Sequence, residues 1–181
     1  MTKAPDDTRP TIIMAQDEAC FGRISIPRRC WAPPKVRPLV ARQIVRQYVY
    51  VYSAVAPATG EMTSLLLPRA NTAMMNLFLA HVAREFPNYF IVMQMDRAGW
   101  HDTDDLVIPE NIRLLLQPAY SPELNPVEHL WDYLRETYFH NWAAPTLKRV
   151  IEVLIDGLER LAVDVERIKS MTNFPHLRMI C

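Results

Sequence analysis

Seven consecutive residues, Tyr89 to Met95 (YFIVMQM), are almost all apolar, and the run stops directly at Asp96. A strand that is apolar on both faces has to be covered on both, as happens in a sheet flanked by helices. The carboxylate that ends the run has no structural reason to be there, since withdrawing a charge from water is costly unless that charge is used. TIIMAQDE, from Thr11 to Glu18, repeats the pattern with the β-branched pair Ile12 and Ile13, which places Asp17 at the end of a second buried strand. IRLLLQ, from Ile112, is a third such strand.

The remaining elements fall between these strands. QYVYVYSAV, from Gln47 to Val55, alternates like a strand; Ala58-Thr59-Gly60 then forms a turn, and Glu61 to Leu67 returns to complete a hairpin. Asn71 caps a helix running to about Phe86, with Met74, Leu77, Phe78, Val82 and Glu85 along one face and its methionines in the core. Residues 102–106 read as a short helical turn, whose positive end Asp102, Asp104 and Asp105 favour. After a proline-rich connection, Val127, Leu130, Trp131, Leu134 and Tyr138 share one face of a helix, with Trp131 in the core. Thr146 caps one last long helix with an inner stripe of Leu147, Val150, Ile151, Leu154, Leu158 and Leu161. The order β, β, β, α, β, (α), β, α, α predicts an α/β fold, a mixed sheet flanked by α-helices. Sites in such sheets gather at the carboxyl ends of strands, where Asp17 and Asp96 are expected.

With 181 residues the chain fits one domain, residues 11–181, behind a polar tail at residues 1–10. No apolar run reaches membrane-spanning length and the opening residues are polar, so neither membrane nor export is expected and the location is cytoplasmic. Cys20, Cys30 and Cys181 are odd in number and lack CxxC spacing, which leaves them as free thiols. The net charge of zero conceals a local excess: no acid occurs between Glu18 and Glu61, while Arg23, Arg28, Arg29, Lys35, Arg37, Arg42 and Arg46 all do. Four prolines between Pro27 and Pro38 make this segment a loop. Arginine forks suit phosphate oxygens, so Arg23, Arg28, Arg29, Lys35 and Arg37 are candidate nucleic-acid contacts; a solvated basic loop explains them as well. Trp31, in the same loop, either stacks on a base or packs beneath the loop.

Phosphodiester cleavage requires an activated nucleophile and charge relief on both the attacking and leaving oxygens. Two divalent ions about 3.5–4 Å apart provide both, and hard carboxylate oxygens hold such ions. Asp17 and Asp96, with a third acid from a nearby helix, would supply the ligands. Taken singly, Asp17 and Glu128 each have a plainer explanation. Asp17 could be a strand-end acid facing water, with Glu18 beside it. If Asn125 is an N-cap and Pro126 the first helical residue, Glu128 completes a capping box. Glu123, between two prolines, suits a turn. His101, five residues after Asp96, either meets a phosphate or is structural.

Three segments, QDEACFG, MDRAGWH and LLLQPAYSPELNPVEHLWDYLRE, resemble the catalytic blocks of the IS630 branch of the IS630/Tc1/mariner DDE transposases. The likeness spans Gln16 to about Phe139, and SPELNPVEHLW is its most specific part. It implies a ribonuclease-H-like fold with Asp17, Asp96 and Glu128 as both catalytic and metal-binding residues, thirty-one residues separating the last two. It further implies Mg²⁺ or Mn²⁺, as two ions, and DNA as partner: terminal inverted repeats at the transposon ends and a target cut at TA. A homodimer in the active complex and association with the bacterial nucleoid follow from the same resemblance. Arg97 stands where many relatives carry asparagine. The catalytic blocks begin within twenty residues of Met1, so the helix-turn-helix modules usual in the family are expected to be absent here, or supplied by a separately encoded half. The alternatives are a truncated or domesticated domain that binds DNA without cutting it, and a structure-directed nuclease without strand transfer.

Overall fold

A computed structural model describes residues 3, 6–25, 27–99, 101 and 103–178. The expectations for Asp102 and Cys181 concern residues outside that set. Five strands form one sheet: β1 (Thr11–Ile24), β2 (Ile44–Val55), β3 (Met62–Leu67), β4 (Phe90–Met95) and β5 (Ile112–Leu116), in the order β3-β2-β1-β4-β5. β1 pairs antiparallel with β2, and β2 with β3, whereas β4 runs parallel to both β1 and β5. The helices are α1 (Thr72–Glu85), α2 (Val127–Tyr138), α3 (Leu147–Val163), α4 (Val165–Thr172) and α5 (Pro175–Arg178), with a 3₁₀ turn at Pro122–Leu124.

β4 and the first half of β1 are buried on both faces, as their composition requires, but β5 is not the third such strand expected: it lies at the sheet edge, where Arg113 and Leu115 are exposed. Ile91, Met93 and Met95 of β4 join Met14 and Tyr52 against Met75, Phe78, Leu79 and Val82 of α1. On the opposite face, Ala15, Ala19 and Phe21 of β1 pack with Val127, Leu130, Trp131 and Leu134 of α2 and with Val150, Leu154, Leu158 and Leu161 of α3. Asn71 and Thr146 cap α1 and α3 as expected, each side chain accepting the N–H three residues on, from Met74 at 3.0 Å and Arg149 at 3.1 Å. No helix among the described residues is long and apolar enough to cross a membrane.

Four further expectations need correction. The buried stripe of α1 is Met75, Phe78, Leu79 and Val82, and Leu77 is exposed, because the helix lies rotated by about one residue from the face its spacing suggested. No helix forms over residues 103–106; the segment is a turn held to α1, where the Asn76 side chain donates to Asp105 O at 3.0 Å and accepts from Val107 N–H at 2.8 Å. The helix capped by Thr146 is continuous through its whole stripe as α3, but it is not the last, since Asp164 ends it and caps α4 through Arg167 N–H at 3.2 Å, and α5 follows. Trp31 is fully exposed rather than packed beneath its loop.

The hairpin between β2 and β3 turns through Gly60, at φ 77°, a conformation costly for residues with a side chain. A Cβ there would meet Val165 O at 2.5 Å, so the turn is pressed against the start of α4. Gly60→Ala should therefore cost about 1–3 kcal/mol, the sum of left-handed strain and displaced packing, readable as a lower urea midpoint.

Candidate active site

Ala15 pairs with Gln94 in the parallel register of β1 and β4; two residues further along each chain, Asp17 and Asp96 come level. Alternation puts Asp17 on the same side of β1 as Ala15 and Ala19, facing α2. Asp96 follows β4 directly, as expected, but Asp17 does not end its strand, because β1 continues to Ile24. What ends near Asp17 is the pairing with β4; beyond it β1 is held by β2 alone.

Glu128 comes from the first turn of α2. Asn125 ties that turn to β1: its side chain donates to Gln16 O at 3.0 Å and accepts from Val127 N–H at 3.1 Å. The Asn125 N–H bonds to Pro122 O at 2.9 Å, so the capping box considered for Glu128 does not form. The carboxylate instead lines a cleft of about 300 Å³ together with Asp17, Asp96, Arg97, Gln117 and Asn125. Gln94 ties β4 to segments beside this cleft by donating to Leu124 O at 2.8 Å and to Gln117 Oε1 at 3.1 Å. Arg97 turns its Nε–H to Gln117 O at 3.2 Å. Glu123 is exposed on the 3₁₀ turn, as a turn residue should be.

The acids differ in their electrostatics. Burial raises Asp17 to about 7; the Trp131 indole, donating to Oδ2 at 2.7 Å, opposes the shift, and the charges of Glu128 and Glu18 add to it. Glu128 is also raised, chiefly by burial, with Arg135 opposing and Asp132 and Asp96 adding. Asp96 is lowered by its hydrogen bond to His101, against some burial, with Ala98 N–H helping. Asp17 and Glu128, both raised by burial and by neighbouring acids in one cleft, are hard-oxygen donors whose charged forms a divalent cation would favour. Among the described residues, however, no three acidic, histidine or cysteine side chains stand close enough to hold a metal as they are.

His101 corrects its expectation as a phosphate contact. Its side chain is 1% exposed, with Nδ1 at 2.8 Å from Asp96 Oδ1 and Nε2 at 3.0 Å from Glu18 Oε1. Burial disfavours a charged ring, but the bonds to Asp96 and Glu18 outweigh it and raise His101 to about 9. Of the basic candidates, Arg23 is spent internally on Ala144 O at 3.0 Å and Gln47 Oε1 at 2.8 Å, and Arg28 pairs with Glu136. These two found partners within the fold, which the charge count could not foresee. Arg29, Lys35 and Arg37 are exposed on the loop between β1 and β2. Glu18, Gln94 and the indole of Trp131 went unrecognised as parts of the site. Strand alternation was the available signal for Glu18, since it sets neighbouring acids on opposite faces.

The two largest shifts predict a pH dependence of one sign. Folded Asp17 keeps a proton that the unfolded chain has released above 3.8, so stability falls as pH rises from there to about 7. His101 contributes stability that is fully present below 6.5 and lost as pH rises through about 9. Without divalent ions the unfolding free energy from urea titration should therefore drop from pH 5 to pH 9, by on the order of 2 kcal/mol after allowance for partial screening. Millimolar Mg²⁺ should offset the loss at the alkaline end by binding the folded state.

Residues 13–151 match the family pattern described as DDE superfamily endonuclease. An uncharacterized protein of Sinorhizobium fredii (strain NBRC 101917 / NGR234), y4pE/y4sA, is 39% identical over 95 residues, 52% of this chain and 70% of that protein. The Tc3 transposase of Caenorhabditis elegans is 30% identical over 111 residues, 59% of this chain and 33% of the transposase. The Mos1 transposase paired-end complex with left transposon end superposes with a TM-score of 0.61 at 16% identity, over 87% of this chain and 54% of that one. A chain of the simian T-cell lymphotropic virus intasome gives 0.52 at 11% identity, over 82% and 48%. The chain thus spans a third of the Tc3 transposase and about half of the Mos1 and intasome chains.

These similarities and the strand order define the fold as ribonuclease-H-like. The chain belongs to the DDE superfamily endonucleases, and its likenesses within that family run to the Tc1/mariner transposases.

Proposed function

We propose that residues 11–181 are the catalytic domain of a DNA transposase, with Asp17, Asp96 and Glu128 as its metal-binding acids. The observation that carries this is the meeting of three acids, from β1, the end of β4 and the first turn of α2, on one cleft. Mg²⁺ or Mn²⁺, as a pair of ions, would supply a nucleophile at neutral pH and relieve charge on the attacking and leaving oxygens. Structures of the Mos1 paired-end complex solved with Mn and with Mg support that choice of metal.

The chain's own part is to hold Asp17 and Asp96 on the rigid centre of the sheet and to present Glu128 from a helix fixed to β1 by Asn125. Arg29, Lys35, Arg37 and Trp31, all exposed on one loop, are the DNA contacts we favour, through phosphate forks and base stacking. The first reaction is hydrolysis of a phosphodiester at a transposon end. In the second, the freed 3′-hydroxyl attacks target DNA in line. Membership of the IS630 branch, terminal inverted repeats as ligand, insertion at TA, action as a homodimer, a separately encoded helix-turn-helix half and a place at the bacterial nucleoid complete the proposal.

The test is incubation with Mg²⁺ and duplex DNA carrying inverted-repeat ends flanked by TA, with and without a helix-turn-helix product encoded beside it. Nicked ends and joined strand-transfer products are expected. Cutting without joining would favour a structure-directed nuclease, and binding without cutting in either Mg²⁺ or Mn²⁺ would overturn the enzymatic assignment.

A further inference from the structure

The two aspartates share a pattern of hydrogen bonding. Asp17 Oδ2 accepts from the Trp131 indole N–H at 2.7 Å. Asp96 Oδ1 accepts twice, from His101 Nδ1 at 2.8 Å and from Ala98 N–H at 2.9 Å. The donors reach the pair from different directions. Trp131 belongs to α2 on one face of the sheet; His101 is buried against Glu18, whose side chain points to the face of β1 opposite Asp17. Glu18 is seated in turn by Gln16, whose Nε2 donates to Glu18 Oε2 at 3.0 Å. Each donor therefore occupies one named oxygen of an acid that lines the cleft.

We propose that Trp131 and His101, the latter held by Glu18, are positioning residues that engage one oxygen of each aspartate and so present the other, Asp17 Oδ1 and Asp96 Oδ2, to the cation. This rests on the reading of Asp17 and Asp96 as metal ligands. The physical reason is that a carboxylate with both oxygens unconstrained rotates about its last bond and can chelate or swing away. One fixed oxygen restricts it to presenting the second, and partners of this kind commonly contribute 10–100-fold to metal affinity. It also accounts for the adjacent acids Asp17 and Glu18: alternation sends the first to the cation and the second to the histidine that orients Asp96.

The experiment measures Mn²⁺ affinity of the DNA-free chain by calorimetry, with circular dichroism and melting temperature recorded for each variant. Trp131→Phe keeps an aromatic ring but has no N–H. His101→Gln places an amide near the position of Nε2 and gives up the bond to Asp96, whereas His101→Asn places one near Nδ1 and keeps it. Trp131→Phe and His101→Gln are expected to weaken Mn²⁺ binding by about 10–100-fold while remaining folded, with His101→Asn retaining most of the affinity. A purely structural role would make the two histidine variants equal in affinity and would tie any loss to melting temperature, which overturns the proposal. Wild-type affinity in folded Trp131→Phe and His101→Gln, alongside loss in Asp96→Asn, overturns it too while the triad stands. If the wild-type chain binds Mn²⁺ no better than Asp96→Asn does, the triad reading itself fails, and this inference with it.

Discussion

Asp96→Asn should lower Mg²⁺-dependent DNA cleavage by at least about 10³-fold while leaving the fold in place, because loss of a metal-holding charge removes several kcal/mol of transition-state stabilisation. The amide can still offer an oxygen to His101 and Ala98, the donors that now serve Oδ1. What it removes is the charge and the second oxygen, which is the part assigned to the cation. The melting temperature of the variant should therefore stay near that of the parent and DNA retention on a filter should be unchanged, while single-turnover cleavage disappears. Cleavage within tenfold of wild type would take Asp96 out of its role.

Trp131→Ala is expected to have the largest effect on stability, about 3–5 kcal/mol, from a cavity in a close-packed core. Trp131 is 1% exposed and sits among Phe21, Leu130, Leu134 and the residues of α3, with its ring edge-on to Phe21 at 6.2 Å. The truncation also strips Asp17 of its indole donor, leaving a mostly buried acid without it. A domain of this size is stable by only about 5–15 kcal/mol, so the variant should sit close to unfolding at physiological temperature. Urea denaturation followed by circular dichroism measures this. A loss under 1 kcal/mol would mean that α2 is not anchored to the sheet as described.

The same residue shows how far the sequence carried. Its place at three- and four-residue spacing among Val127, Leu130 and Leu134 marked it as core, and it is core. That its indole N–H would meet Asp17, more than a hundred residues away, depends on how α2 lies across β1, and periodicity says nothing about that. Asp96 was legible for the opposite reason, since a charge placed straight after a doubly apolar strand announces itself locally. Asp17 was found, yet its strand was cut short, because the acids interrupt the apolar pattern while backbone pairing with β2 continues through Ile24. Glu128 could be read as a capping residue until the Asn125 N–H was seen to bond to Pro122 O, which leaves the carboxylate to line the cleft. Arg23 and Arg28 were misjudged because charge counts cannot distinguish an arginine facing solvent from one claimed by a carbonyl or by Glu136. The stripe of α3 was legible through Leu161, but the helix after it was not, because the start of α4 turns on a single capping side chain, Asp164.

Crystals of the chain soaked in Mn²⁺ and measured at a wavelength where manganese scatters anomalously give the most direct view of whether these acids work together. One or two anomalous peaks are expected in the cleft, bonded to Asp17 Oδ1 and Asp96 Oδ2, with Glu128 drawn in from α2. A cleft that stays empty at saturating Mn²⁺ with DNA bound, or manganese bound elsewhere while cleavage proceeds, would contradict that assignment.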